Sequence, residues 1–392
     1  MKKLILLLAL MATIVIPAPI HDAAKLGDVA AIQNILIQDP SQVNAQDENG
    51  FTPLHLAAGD RHMAAVTALL RAGASKEITN DDGQLPLHLA ADGDTEILSA
   101  LITPANLHVR DMGGNTPLHI AAWSGNSENV QTFLGTDARD EKDAANNEGF
   151  TPLHYAAYRG CGEIIQVLID AGANIEANQN NELITPLHIA AGTCEEFAGP
   201  EAAHTLISAG ANIHARDSKQ LTPLHYAVGA ACYLQLLVDS TLEMVENDLP
   251  ENALALLNAG ADLTVQDEEN RTPLMFASLS RNNETMQLLN DWPVYQNAIA
   301  RRRQSLLAFC LAQKPRLGVA FPVQSCPREI FQWIGKWVAL ESNDLDTVYA
   351  MAQEERDIQS RRTQPGLKRP NDQITEVNNK WNDDDLDDWL NH

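Results

Sequence analysis

Apolar positions along this chain fall into pairs of short blocks that keep returning. In "AVTALLRAGA" at 65–74 they are spaced as on one face of a helix, and the block closes on a glycine, which suits the left-handed conformation just past a helix end. The same pattern returns in "IIQVLIDAGAN" at 164–174, "AHTLISAGAN" at 203–212 and "ALALLNAGAD" at 253–262. Ahead of each stands a second apolar block with a fixed head: "TPLHLAA" from Thr52, "TPLHIAA" from Thr116 and Thr185, "TPLHYAA" from Thr151, "TPLHYAV" from Thr222. Looser heads from Ala18 ("APIHDAA"), Leu85 ("LPLHLAA") and Thr272 ("TPLMFAS") extend the series. Starts at 18, 52, 85, 116, 151, 185, 222 and 272 lie 34, 33, 31, 35, 34, 37 and 50 residues apart, a period that marks a stack of repeated units. Each unit reads as helix, turn, helix, loop, with Thr as N-cap and Pro at the first helical position.

Period and "TPLHxAA" core together resemble the ankyrin repeats, over residues 18–290, about 70% of the chain. The resemblance implies an all-α ankyrin-repeat solenoid: an L-shaped stack of antiparallel helix pairs, loops projecting as fingers, and a concave face that binds another protein. Carried onto this chain, the family's contact positions are the finger tips before each Thr-Pro (Phe51, Asp81, Asp82, Met112, Phe150, Arg271) and the places after the paired alanines (Trp123, Ser124, Tyr158, Arg159). Aromatic and arginine side chains are the usual anchors of an interface, so Phe51, Trp123, Phe150, Tyr158, Arg159 and Arg271 are the candidate protein-binding residues. Packing of the same rings on the neighbouring repeat is the competing reading. Tyr155 and Tyr226, directly after the histidine, are expected to be packed.

His21, His55, His88, His119, His154, His188 and His225 all occupy the third helical position, from which a side chain reaches back to the cap. A metal site needs several ligands about 2 Å from one ion, whereas helices stacked at their usual spacing would hold these rings about 10 Å apart. They are therefore read as structural pegs, and neither metal nor cofactor is expected.

No G-x-S-x-G, H-E-x-x-H or G-x-x-x-x-G-K-[ST] motif occurs, and Cys161 between Gly160 and Gly162 lacks an organised base, so no enzyme and no small-molecule substrate is expected. Asp and Glu number 52 against 27 Lys and Arg, a formal charge of −25 that repels phosphate backbones and argues against nucleic acid.

Residues 1–17, "MKKLILLLALMATIVIP", carry two lysines and then an uncharged run from Leu4 to Ile16. That is short for a membrane span and suits a signal peptide, so the chain is expected to be exported, periplasmic or extracellular; membrane contact would come only from an uncleaved N-terminal anchor. The cysteines pull the other way. Five is an odd number, no C-x-x-C occurs, and Cys161, Cys194 and Cys232 fall at similar places in successive repeats, too far apart for a disulfide. Export from a bacterium into the reducing interior of a host cell, as an effector, satisfies both observations.

Two repeats carry inserts, "GTCEEFAGPE" after Ala191 and "GAACYLQLLVDSTLEMVENDLP" after Val228; the second has partly helical spacing. Inserts on a stack often join its binding edge, and a lengthened helix is the plainer alternative. After Asn290 the period is lost. "CPREIFQWIGKWVAL" within 291–355 is similar to the opening helix of F-box-like motifs through Pro327, Glu329, Ile330, Ile334, Trp337 and Val338, which implies an adaptor docking a ubiquitin ligase. A terminal repeat also needs a polar cap, and a helical cap is the reading preferred for 291–355. Residues 356–392 are polar and acidic and are expected to be a disordered tail.

Overall fold

The computed structural model describes residues 20–179, 181–193, 200–230, 250–279, 282–313 and 345–363. Every regular element among them is helical. The described residues up to Asn282 form one compact unit and those from Asn283 another.

In the first unit each repeat contributes a first helix at its head, on a Thr-Pro pair in six of them: α1 (Ile20–Lys25), α3 (Pro53–Gly59), α5 (Pro86–Ala91), α7 (Pro117–Ser124), α9 (Pro152–Tyr158), α11 (Pro186–Gly192), α13 (Pro223–His225) and α15 (Pro273–Leu279). After α13 the backbone widens into a π turn over Tyr226–Ala230. The second helices are α2 (Val29–Gln38), α4 (Met63–Arg71), α6 (Thr95–Leu101), α8 (Ser127–Leu134), α10 (Gly162–Asp170), α12 (Glu201–Ser208) and α14 (Pro250–Asn258). First helices pack on first helices and second on second, giving two layers. The paired alanines are buried throughout the first layer, where a larger side chain would push neighbouring helices apart. Leu69, Phe133, Leu168 and Leu206 of the second helices close the core from the other side. A glycine past the second helix takes a positive φ, +91° at Gly73, and lets the Ala74 N–H bond back to the Leu69 carbonyl.

Finger loops carry the chain from each second helix to the next head. An acidic or amide side chain folds each tip on itself: Asp47 accepts from the Asn49 and Phe51 N–H groups, and Asn146 from those of Glu148 and Phe150. Neighbouring fingers are joined through backbone: Asp81 N–H donates to Asn49 O, Met112 to Asp82 O, Asn147 to Gly113 O, Ser218 to Glu182 O and Glu268 to Lys219 O.

The second unit contains α16 (Asn283–Gln313) and α17 (Leu345–Thr363), which pack on each other. Arg356 pairs with Asp291 and Arg301 with Glu355, both carboxylates buried. Two sequence boundaries shift here. Asn290, where the period ends, lies inside the continuous helix α16, because loss of the repeat pattern does not interrupt backbone hydrogen bonding. Residues 356–363, assigned to a disordered tail for their polarity, form the last two turns of α17, with Arg356 held by its ion pair.

Candidate functional site

At repeat junctions the histidines make a second bond that their sequence position does not announce. His154 Nδ1 accepts the backbone N–H of Thr151 at 3.1 Å, with the threonine hydroxyl 2.9 Å from the same nitrogen. The opposite nitrogen, Nε2, donates to the carbonyl of Ile184 at 3.1 Å, the residue just before the next repeat's N-cap. The same reach joins His55 to Gln84, His88 to Asn115, His119 to Phe150, His188 to Leu221 and His225 to Arg271, and half-buried His21 to Phe51. Leu85 has no hydroxyl, and its N–H still donates to His88 Nδ1 at 3.0 Å. The backbone bond is thus the constant part of the cap. With Nδ1 an acceptor and Nε2 a donor the ring must be neutral. Burial pushes the pKa of His55, His119, His154, His188 and His225 down to about 4, and lowers that of His88. Among the described residues no three His, Cys, Asp or Glu side chains converge as metal ligands would.

Three candidate binding residues come together between repeats four and five. Trp123, at the end of α7, stacks on Tyr158, at the end of α9, with ring centroids 5.2 Å apart and planes 14° from parallel. Their equivalent places in adjacent repeats bring the rings face to face. Arg159 sets its guanidinium carbon 5.6 Å from the Trp123 ring centroid, a cation–π arrangement, and Tyr155 meets the same indole edge-on at 5.6 Å. Trp123, Tyr158 and Arg159 are each half-buried, so part of each faces solvent. Tyr155 is anchored by its hydroxyl, which donates to Asn115 Oδ1 and accepts from Asn146 Nδ2, both at 3.1 Å. Burial and the charges of Glu148 and Asp111 push its pKa up to about 12.

The other candidates fare differently. Phe150 is 4% exposed, its ring edge-on against His154 at 5.6 Å and tilted against Tyr155 at 6.3 Å, so it belongs to the core and not to an open surface. The carbonyl of the residue before each head meets the preceding repeat's histidine, as Phe150 O meets His119 Nε2. Phe51, one such residue, is half-buried against His55. Arg271 is engaged by Asp267 and Glu269 of its own finger and by the Phe276 ring of the next helix. Both lie outside the Trp123 group. Asp81 and Asp82 are exposed and Met112 is 73% exposed, as tips should be, while Ser124 bonds to its own helix at Ala121 O. Tyr226 is buried, its hydroxyl donating to Asp217 at 2.8 Å.

Two features went unread in the sequence. Buried Asn129 donates to the carbonyls of Ala91 and Gly93, and Asn252 to those of Ala190 and Ala191, closing first-helix ends of earlier repeats. Beside Tyr158 a hollow of about 40 Å³ opens, lined by Glu148, Phe150, His154, Tyr155, Tyr158 and Ile189. Pro327, Glu329, Ile330, Ile334, Trp337 and Val338, Cys194 and Cys232, residues 1–17 and most of both inserts lie outside the described residues. No described helix is long and apolar enough to cross a membrane.

Stacked helix pairs, with finger tips joined through backbone, define a helical-repeat protein. The family model for ankyrin repeats in three copies matches residues 20–111, 64–141, 91–181 and 118–217, together just over half of the chain. The chain belongs to the ankyrin repeat family, whose repeats are protein–protein interaction modules. It is 29% identical over 219 residues to the nuclear factor NF-kappa-B p105 subunit of Gallus gallus, covering 54% of this chain and 22% of that protein. Human inversin is 28% identical over 217 residues, covering 53% and 20%. The transient receptor potential cation channel subfamily A member 1 homolog of Caenorhabditis elegans is 34% identical over 128 residues, covering 31% and 11%. The chain thus spans about a fifth or less of the length of these relatives. Among solved structures, the human ASB11 ankyrin repeat domain is similar at a TM-score of 0.47 and 23% identity, over 62% of this chain and 99% of that one.

Proposed function

We propose that this chain is a non-catalytic scaffold that holds a partner protein on the first-helix layer and finger tips of its central repeats. The observation that carries the reading is the Trp123–Tyr158 stack with Arg159 beside it, a pre-assembled and half-exposed group at equivalent positions of adjacent repeats. Rigid aromatic groups supply contact area at little entropic cost. A photo-crosslinking amino acid at Met112, on a neighbouring tip, should capture a discrete partner, while the same group at exposed Gln166 on the second-helix layer should not. Trp123→Ala with Arg159→Ala should weaken that partner by about thirtyfold or more, near 2 kcal/mol, and leave the unfolding midpoint within a few degrees. Equal capture from Gln166 and Met112 would place the site elsewhere.

The second part of the proposal is export directed by residues 1–17, supported by Lys2 and Lys3 ahead of the apolar run from Leu4 to Ile16. Fused to a reporter, this segment should carry it across the membrane, and the mature chain should begin between Pro19 and Ala24. A reporter that stays wholly inside with Met1 intact rules this out.

A further inference from the structure

The hollow beside Tyr158 has a lining of unusual chemistry for its size. Phe150, Tyr155, Tyr158 and Ile189 supply aromatic and aliphatic wall, and His154 forms part of it with both ring nitrogens already committed to backbone. Among the described residues that line it, Glu148 alone carries a formal charge, and its carboxylate belongs to an exposed finger-tip residue. The neighbouring cation, Arg159, lies over the Trp123 ring and does not line the hollow. Ring faces present negative potential to a cation, and a carboxylate at the rim adds to it. Burial first, and then the Glu148 and Asp111 charges, keep the Tyr155 phenol in its protonated form. Exposed carboxylates continue along other tips at Glu48, Asp81, Asp82, Glu268 and Glu269, on a chain of net charge −25.

We infer that the hollow takes a lysine or arginine side chain from a basic segment of the partner protein, the alkyl stem lying on Tyr158 and Ile189 and the cationic head meeting the Tyr155 ring and Glu148. The stem would cover apolar wall while the head keeps its charge beside a carboxylate, an arrangement long basic side chains adopt readily. This inference rests on the proposal that the first-helix layer is the recognition face, and adds the chemistry of what it recognises.

N-acetyl-lysine methylamide and N-acetyl-norleucine methylamide, titrated into the full chain and followed by amide chemical shifts, separate charge from shape. The lysine probe should shift the amides of Gly149, Tyr155 and Tyr158 saturably in the millimolar range, with norleucine at least tenfold weaker. Glu148→Gln should reduce that preference to less than twofold. Its side chain is exposed, so the unfolding midpoint should stay at the parent's value, which confirms that the fold is kept. Norleucine binding as tightly as lysine would show an aliphatic subsite and overturn the inference while leaving the recognition face intact. Absence of shifts with the lysine probe would overturn it as well. Loss of crosslinking from Met112 would instead strike the proposal beneath it.

Discussion

Lowering the pH from 7 to 5 should unfold the repeat array. The sign follows from the histidines: their folded-state pKa lies near 4 against 6.5 for a free imidazole, so they favour the folded state only while neutral. Protonating Nδ1 removes the acceptor of the N-cap N–H and leaves a buried charge. Stability from these groups is full above pH 6.5 and is lost as pH falls toward 4. At pH 5 each ring contributes about 2 kcal/mol less than at pH 7, and the five together on the order of 9 kcal/mol. Folded domains hold about 5–15 kcal/mol, so a loss of this size decides the outcome. Asp39, Asp262 and Asp267 have lowered pKa values and weaken the fold only at more acidic pH, while Asp217, raised by burial, acts in the opposite sense. Thermal midpoints by circular dichroism should drop steeply between pH 6.5 and 5. Calorimetry at pH 5.5 in buffers of different ionisation heat should find about four to five protons taken up on unfolding. A midpoint that stays level over that range, or uptake of one proton or none, would refute the assignment.

His154→Ala should cost on the order of 4 kcal/mol. The ring is fully buried between repeats five and six, and its removal leaves the Thr151 N–H and the Ile184 carbonyl without their partner, at residues only 5% and 1% exposed. Each orphaned group costs about 1–3 kcal/mol, and the cavity adds to this. Because each repeat contacts only its neighbours, the damage is confined to one junction in mid-stack. Urea unfolding should separate into two transitions, and proton uptake at pH 5.5 should fall by about one. A single transition displaced by less than about 1 kcal/mol would show that the ring does not couple the repeats.

The array was legible because its period, N-caps and closing glycines are local signals, each written within a few residues. The role of the histidines was only half legible. Position within the helix predicts the Nδ1 bond, whereas the Nε2 bond depends on a carbonyl 27 to 46 residues away, brought near by stacking. Phe150 differs from Phe51 at the same position in its ring contacts: it packs edge-on against His154 and tilted against Tyr155, and no seven-residue motif shows that packing. Trp123 and Tyr158 could be paired from their equivalent positions, but the hollow needs Ile189 from the next repeat and Glu148 from a tip, a combination no single motif contains. At the C-terminal end, polar residues 356–363 continue α17, because Arg356 finds its partner Asp291 across on α16 and not within its own stretch of sequence.

The bonds joining neighbouring fingers give the molecule an uneven tolerance to change. Asp81, Met112 and Glu268 each secure their finger through backbone N–H, so most side chains can be exchanged there without cutting the ladder. Proline is barred, since it would remove the donor. An ancestral array could therefore acquire a new target by drift at its tips alone, its helices unaltered, and a laboratory could rewrite its specificity by randomising positions 48, 81, 82, 112 and 148 on an unchanged frame. At these tips, selection for a partner and selection for folding act on nearly separate sets of atoms.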